Sequence, residues 1–192
     1  MAGTSENAPA VEHGAVERPR RPALPERAAG RLATLARSGS RNARVIDRYV
    51  DGRAEFGKTL IFACDIQHAE ALKRMLQQRG VSAEAVHSDL GHEDRRSVIR
   101  RFKEGRIRVL VNVAMLTHGV DIRDIETVFL ARPTASSTLF AQMVGRAVRK
   151  APGKTHFQLV DFVDKLKVHG DILVSPMSYF GAARVNPCGD SM

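Results

Sequence analysis

Residues 59–87 read TLIFACDIQHAEALKRMLQQRGVSAEAVH, and the fold class follows from them. Thr59–Cys64 is a short apolar run bounded by turn residues, which predicts a buried strand. Ile66–Arg79 carries Ala69, Leu72, Met75 and Leu76 at helical spacing and stops at Gly80. Val81–His87 then predicts a second strand. Strand, helix and strand in immediate succession make a β-α-β unit, and successive units build a parallel sheet covered by helices on both faces.

The same alternation continues outward. Glu93–Lys103 predicts a helix with Val98, Ile99 and Phe102 inward and Gly105 at its end. Val109–Ala114, Thr127–Ala131 and His156–Phe162 predict further strands, with a helix over 138–149 between the last two. Upstream, Ala43–Val50 predicts a short helix ending near Gly52, with Val45, Ile46, Tyr49 and Val50 inward. Residues 1–42 are rich in Ala, Pro, Arg, Glu, Gly and Ser without periodicity, which predicts a disordered head. The folded domain spans 43–165, and 166–192, with Gly170, Pro176, Gly181, Pro187 and Gly189, predicts a loosely structured tail. In open sheets of this kind ligands bind beyond the carboxyl ends of the strands.

A chain of 192 residues with 43% hydrophobic content supports one core of ordinary size. Its formal charge of +9 favours polyanionic partners, although many of the basic residues lie in the head. Cys64 and Cys188 form no Cys-x-x-Cys pair, so neither a disulfide framework nor a zinc site is indicated. The histidines are scattered and no metal site is expected. No apolar run reaches the length of a membrane span, and the acidic residues of the head argue against a transit peptide. A reducing cytoplasm is the expected location.

Within the helix predicted over 138–149, Gln142, Gly145, Arg146 and Arg149 fall at i, i+3, i+4 and i+7. One amide, one glycine and two guanidiniums thus share a face, and Leu139, Met143, Ala147 and Val148 lie opposite. Two rigid arginines beside a glycine suit a bound polyphosphate. The competing reading is an amphipathic helix with a solvated basic face, which also describes most of Arg95, Arg96, Arg100 and Arg101 on the 93–103 helix. Gly52–Thr59, GRAEFGKT, satisfies the Gly-x4-Gly-Lys-Thr pattern of a phosphate-binding loop. That loop needs a strand entering and a helix leaving, so that the helix N-terminus meets the phosphates. Here a helix enters and a strand leaves, which makes the match fortuitous.

Four blocks stand in fixed order: LIFACDIQHAEAL (60–72), HSDLGHEDRRSVIRRFKEG (87–105), IRVLVNVAMLTHGVDI (107–122) and QMVGRAVRKAPGKTHFQLVDFVD (142–164). Together they resemble the C-terminal RecA-like domain of superfamily 2 ATP-dependent helicases and translocases. Met115–Asp121 and Gln142–Arg149 look most like the branch related to restriction-enzyme motor subunits. The resemblance implies an α/β fold with a RecA-like parallel sheet of five to six strands. It further implies ATP with Mg2+ in a cleft whose P-loop and Mg2+ ligands belong to an N-terminal RecA-like domain, supplied in cis or in trans.

Carried over by motif position, Gln142, Arg146 and Arg149 are the catalytic set, with the arginines as fingers. Gly119, Asp121 and Gly145 are implied for ATP, and Ser88, Arg95, Asn112, Thr117 and His118 for nucleic acid, DNA before RNA. Departures from the family pattern are Val113 and Ala114 where many relatives have Thr and Asp, His118 where Arg is frequent, and Asp65 where a Ser or Thr contacts the strand. The alternatives are a non-catalytic nucleic-acid-binding or regulatory module on the same fold and, behind it, an autonomous enzyme using Lys58.

Overall fold

In the computed structural model the described residues are 34, 37–113, 122, 124–134, 136–146, 149 and 151–163, with 184–187 described for the backbone alone. The elements are α1 (Gly39–Phe56), β1 (Thr59–Phe62), α2 (Ile66–Gln78), β2 (Ala83–Val86), α3 (His92–Lys103), β3 (Val109–Asn112), β4 (Thr127–Leu130), α4 (Ser137–Val144), β5 (Gln158–Asp161) and β6 (Arg184–Pro187). The strands lie side by side in the order β2, β3, β1, β4, β5, β6, and every pairing is parallel. This is the parallel α/β sheet that the alternating pattern predicts, with a strand count in the range of five to six that the resemblance to the RecA-like domain implies.

Because successive strand residues point to opposite faces, the apolar strands feed two cores. Leu60, Phe62, Leu110, Val128, Leu130 and Leu159 pack with Val98 and Phe102 of α3 and with Phe140, Met143 and Val144 of α4. Ile61, Val109, Val111, Phe129 and Val160 pack on the other face with Val45, Ile46, Tyr49 and Phe56 of α1 and Ala69, Leu72 and Leu76 of α2. An aromatic cluster anchors that second core. The ring of Phe129 meets Phe56 edge-on at 5.1 Å between centroids, with Tyr49 at 6.1 Å and Phe162 at 5.4 Å.

Three boundaries depart from the sequence reading. Helix α1 starts at Gly39, inside the stretch read as head, because Arg41 and the buried Asn42 already belong to the packed structure. It also runs through Gly52 to Phe56 instead of ending at the glycine. A Cβ at Gly52 would lie 2.5 Å from the Phe56 ring, so the missing side chain makes room for that ring in the next turn. The helix ends instead at Gly57, whose φ of 55° is the left-handed conformation open to glycine. Finally β6 falls within 166–192, where the sequence shows no strand signal, and it pairs in parallel with β5 at the sheet edge.

Between β1 and α2 the turn is built from side chains. The Asp65 carboxylate accepts the His68 backbone N–H at 2.8 Å, capping α2, and His68 Nδ1 accepts the Cys64 N–H at 3.1 Å. The imidazole is therefore neutral with its proton on Nε2. Burial, reinforced by the positive charge of Arg41, pushes its pKa down to about 4.

Two outcomes follow for the folded chain. Phe56→Ala empties a fully buried ring site and is expected to cost about 3–5 kcal/mol, read as a lower urea midpoint at unchanged slope. His68 contributes its stabilisation in full above its unfolded pKa of 6.5 and loses it as the pH falls toward about 4. The loss across that window should reach up to about 3 kcal/mol, because a tenfold change in proton affinity corresponds to about 1.4 kcal/mol. His68→Asn should flatten that part of the stability profile; an unchanged slope in the variant would show that another group titrates.

Candidate functional site

Helix α4 is held at its start by polar caps. Ser136 Oγ accepts the Leu139 N–H at 3.2 Å, and Thr134 Oγ1 accepts the Ser136 N–H at 3.1 Å. Phe140, Met143 and Val144 fix its inner face in the core. Regular helix then stops at Val144. The Gly145 N–H still reaches Ala141 O at 2.8 Å, Arg146 N–H turns tightly onto Met143 O at 3.4 Å, and Arg149 lies in a bend beyond. Expecting one unbroken helical face from Gln142 to Arg149 is thus corrected: the face holds for Gln142, Gly145 and Arg146, while Arg149 is carried by a separate bend. The chain must turn here to enter β5, and Pro152 and Gly153 follow within a few residues. Gln142, Arg146 and Arg149 are all half-buried, not a fully solvated basic face. Ala147 and Val148 lie outside the described residues.

The end of α4 lies toward the amino-terminal edge of the sheet, where β4 and β5 begin. Lys154 Nζ donates to the Arg149 carbonyl at 3.2 Å, and Lys154 helps line a cavity of about 300 Å³ with Glu55, Asp124, Glu126, His156 and Gln158. Half-burial lowers the Lys154 pKa, while the carboxylates of Asp124 and Glu126 draw it back up. Lys58 occupies the same edge. Its ammonium bridges the Asp124 carboxylate, donates to Lys103 O at 2.9 Å and sits 5.6 Å from the centre of the Phe102 ring. Its backbone N–H donates to Glu126 Oε1 at 2.9 Å. The GKT at 57–59 is therefore a helix-to-strand turn with its lysine engaged by the protein, and its N–H groups do not converge on a vacant cradle.

At the opposite, carboxyl-terminal edge stand Ser88, Arg95 and Asn112. Arg95 Nη2 donates to Leu90 O at 2.9 Å and Ser88 O at 3.3 Å, so the guanidinium shapes the turn after β2. Ser88 is exposed and its hydroxyl donates to Asp89 Oδ1 at 3.0 Å. Asn112, the last residue of β3 between β1 and β2, is 0% exposed in this chain. Arg41, which no motif singles out, also reaches this edge. It donates to the carbonyls of Ala131 at 3.1 Å and Phe162 at 3.4 Å, just past β4 and β5. Cys64 lies beneath it, and burial pushes that thiol up to about 11, which keeps it protonated and unreactive.

Thr117, His118, Gly119 and Asp121 lie outside the described residues. The Lys58–Asp124 pair was missed because its members stand 66 positions apart, and Lys154 because a bond to a bend carbonyl leaves no periodic pattern; the only local signal was a Gly-Lys-Thr before each of β1 and β5. Among the described residues no helix is long and apolar enough to cross a membrane, and no group of three His, Cys, Asp or Glu side chains could hold a metal ion.

Residues 41–151, more than half of the chain, match the family described as helicase conserved C-terminal domain. IRC3 of Saccharomyces cerevisiae, whose name marks it as an ATP-dependent helicase, is 31% identical over 134 residues, which cover 69% of this chain and 19% of that protein. The chain thus spans about a fifth of the length of this relative. Among solved structures, S. cerevisiae Dbp5 bound to RNA and ADP–BeF3 superposes with a TM-score of 0.57 at 26% identity, covering 77% of this chain and 38% of Dbp5. A fragment assigned to the HsdR subunit of a type I restriction enzyme from Vibrio vulnificus gives a TM-score of 0.65 at 24% identity, covering 82% and 33%, and that likeness speaks to the fold. The parallel sheet, the helices on both its faces and the match over 41–151 together make this chain a member of the helicase conserved C-terminal domain family, the C-terminal RecA-like domain of superfamily 2 ATP-dependent helicases.

Proposed function

We propose that this chain is one half of an ATP-driven motor: the C-terminal half of a helicase or translocase acting on nucleic acid, DNA before RNA. An N-terminal P-loop domain, in cis or in trans, would supply the phosphate cradle and the ligands for Mg2+. Arg146 and Arg149 are the arginine fingers of this reading, with Gln142 beside them, and Gly119, Asp121 and Gly145 approach the nucleotide. The observation that carries the reading is the turn after α4, which holds Arg146 and Arg149 half-buried at one sheet edge, with Gly145 exposed beside them, instead of dispersing the arginines in solvent.

That edge is the amino-terminal one, opposite to where an open sheet usually takes its ligands. The rule concerns the domain that cradles the phosphates, whose own helix N-terminus must meet them. A domain that contributes only guanidiniums can approach a nucleotide held elsewhere, with whichever edge faces its partner. Such fingers stabilise charge developing on the transferred phosphoryl group and are useless without the cradle.

At the carboxyl edge Ser88 is the exposed candidate for a phosphate-backbone contact, with Arg95 shaping its turn. Thr117 and His118 join it by motif position. Dbp5 is a relative in fold that has been seen with both RNA and a nucleotide analogue, which supports a nucleotide and a nucleic acid as the two ligands. The preference for DNA comes from the restriction-motor character of Met115–Asp121 and Gln142–Arg149. Sparse cysteine usage, with no Cys-x-x-Cys pair, suits a reducing compartment such as the cytoplasm.

The deciding experiment mixes the purified chain with a P-loop domain of the same family and follows ATP hydrolysis with DNA, with RNA and with neither. The chain alone should be inactive, and the mixture should show hydrolysis stimulated more by DNA. Arg146→Ala should lower kcat by about 10³ or more with little change in KM. Hydrolysis unaffected by adding the chain, or by this substitution, would favour a non-catalytic binding module on the same fold. Lys58→Ala should leave nucleotide affinity unchanged, as expected of a lysine outside any phosphate cradle, and instead lower stability by about 1 kcal/mol, since the half-exposed Asp124 loses its ion-pair partner.

A further inference from the structure

The candidate finger Arg149 sits in a bend beyond the regular helix α4. One side-chain contact does hold this bend: the ammonium of Lys154, five residues on, donates to the Arg149 carbonyl at 3.2 Å. Lys154 is itself half-buried at the amino-terminal edge, within the electrostatic reach of Asp124 and Glu126. Those two carboxylates are fixed in turn by Lys58, through its ammonium on Asp124 and its backbone N–H on Glu126 Oε1 at 2.9 Å. The Glu126 carboxylate packs against Gly57 so closely that an added Cβ would lie 2.3 Å from it. The Glu126 N–H and the Thr127 N–H both return to Lys58 O, at 2.9 and 3.2 Å, so the approach to β4 is locked to the approach to β1.

Lys58 thus fixes two carboxylates that line one cavity with Lys154, and Lys154 reaches the bend that carries Arg149. We propose that Lys154 is the positioning residue of the arginine pair: by tying the Arg149 carbonyl to the Asp124–Glu126 segment, it holds that guanidinium in register with the sheet edge. The proposal rests on Arg149 facing a triphosphate. Lys154 touches no reacting atom and acts through Arg149. Its charge matters in two ways. A charge-assisted hydrogen bond to a carbonyl is stronger than a neutral one, and the two flanking carboxylates stabilise the ammonium in a half-buried place.

Hydrogen exchange on the full chain tests the positioning directly. In Lys154→Met, amides of 145–150 should exchange roughly tenfold faster or more, while β4 and β5 exchange as in the parent and Lys154→Arg restores protection. Unchanged exchange over 145–150, or acceleration spread evenly over the sheet, would overturn the proposal. With the P-loop domain present, Lys154→Met should lower kcat with little change in KM, by less than Arg149→Ala does. The double variant should match Arg149→Ala alone, because a residue acting through Arg149 has nothing left to position. Additive losses would overturn the proposal. If Arg149→Ala leaves hydrolysis unchanged, the triphosphate assignment fails, and the exchange result still reports whether Lys154 holds the bend.

Discussion

Parallel pairing is the constraint on which this structure depends. Neighbouring strands that run the same way cannot be joined by a hairpin, so each connection must carry the chain back across the whole sheet. In this chain α4 does so between β4 and β5: it starts beside Ser136 at the carboxyl-terminal edge and delivers Gly145 to the amino-terminal edge. The two sets of candidate residues are separated by that geometry. Ser88 and Arg95 stay with the carboxyl ends of β2 and β3, whereas the arginines after α4 stand where β4 and β5 begin. In the proposed reading a nucleotide would meet one edge and a nucleic-acid strand the other.

The strongly basic balance of the chain is less diagnostic than it looks. Several of its cations are engaged by the protein itself. Arg41 closes the ends of β4 and β5 through two carbonyls, Arg95 shapes the turn after β2, and Lys58 and Lys154 organise the amino-terminal edge. Burial raises the worth of such contacts, since a half-buried ammonium or guanidinium loses hydration and needs carbonyls or carboxylates in return. Net charge alone therefore overstates the surface available to a polyanion.

Glycine-lysine pairs illustrate how context governs a motif. The GKT at 57–59 has the letters of a phosphate cradle, yet α1 enters it and β1 leaves, and Glu126 fills the space beside Gly57. With no helix starting at this turn, there is no set of free N–H groups and no positive dipole end to receive phosphates. Its lysine became a strut, and the second GKT, at 153–155, supplies another. Letters in a motif carry chemistry only when the backbone around them has the right order of elements.

Element type and order were legible from the sequence because they depend on local periodicity. The apolar runs at β1, β3, β4 and β5 and the helical spacing of Leu72 and Leu76 or Val98 and Phe102 mark segments that bury themselves on one or both faces. The motif order over 60–164 added the family and the candidate residues on top of that. Only the tertiary structure could decide which edge each residue occupies, that Asn112 is sealed in the sheet, that α1 continues through Gly52, that 184–187 adds an edge strand, and that Arg149 leaves the helix and is held by Lys154. The strand neighbours of Asn112 and of 184–187 come from distant segments, as Arg41 meets Phe162 across 121 positions, while the contacts of Gly52 with Phe56 and of Lys154 with Arg149 are close in sequence but depend on where the helix turns, which periodicity does not encode.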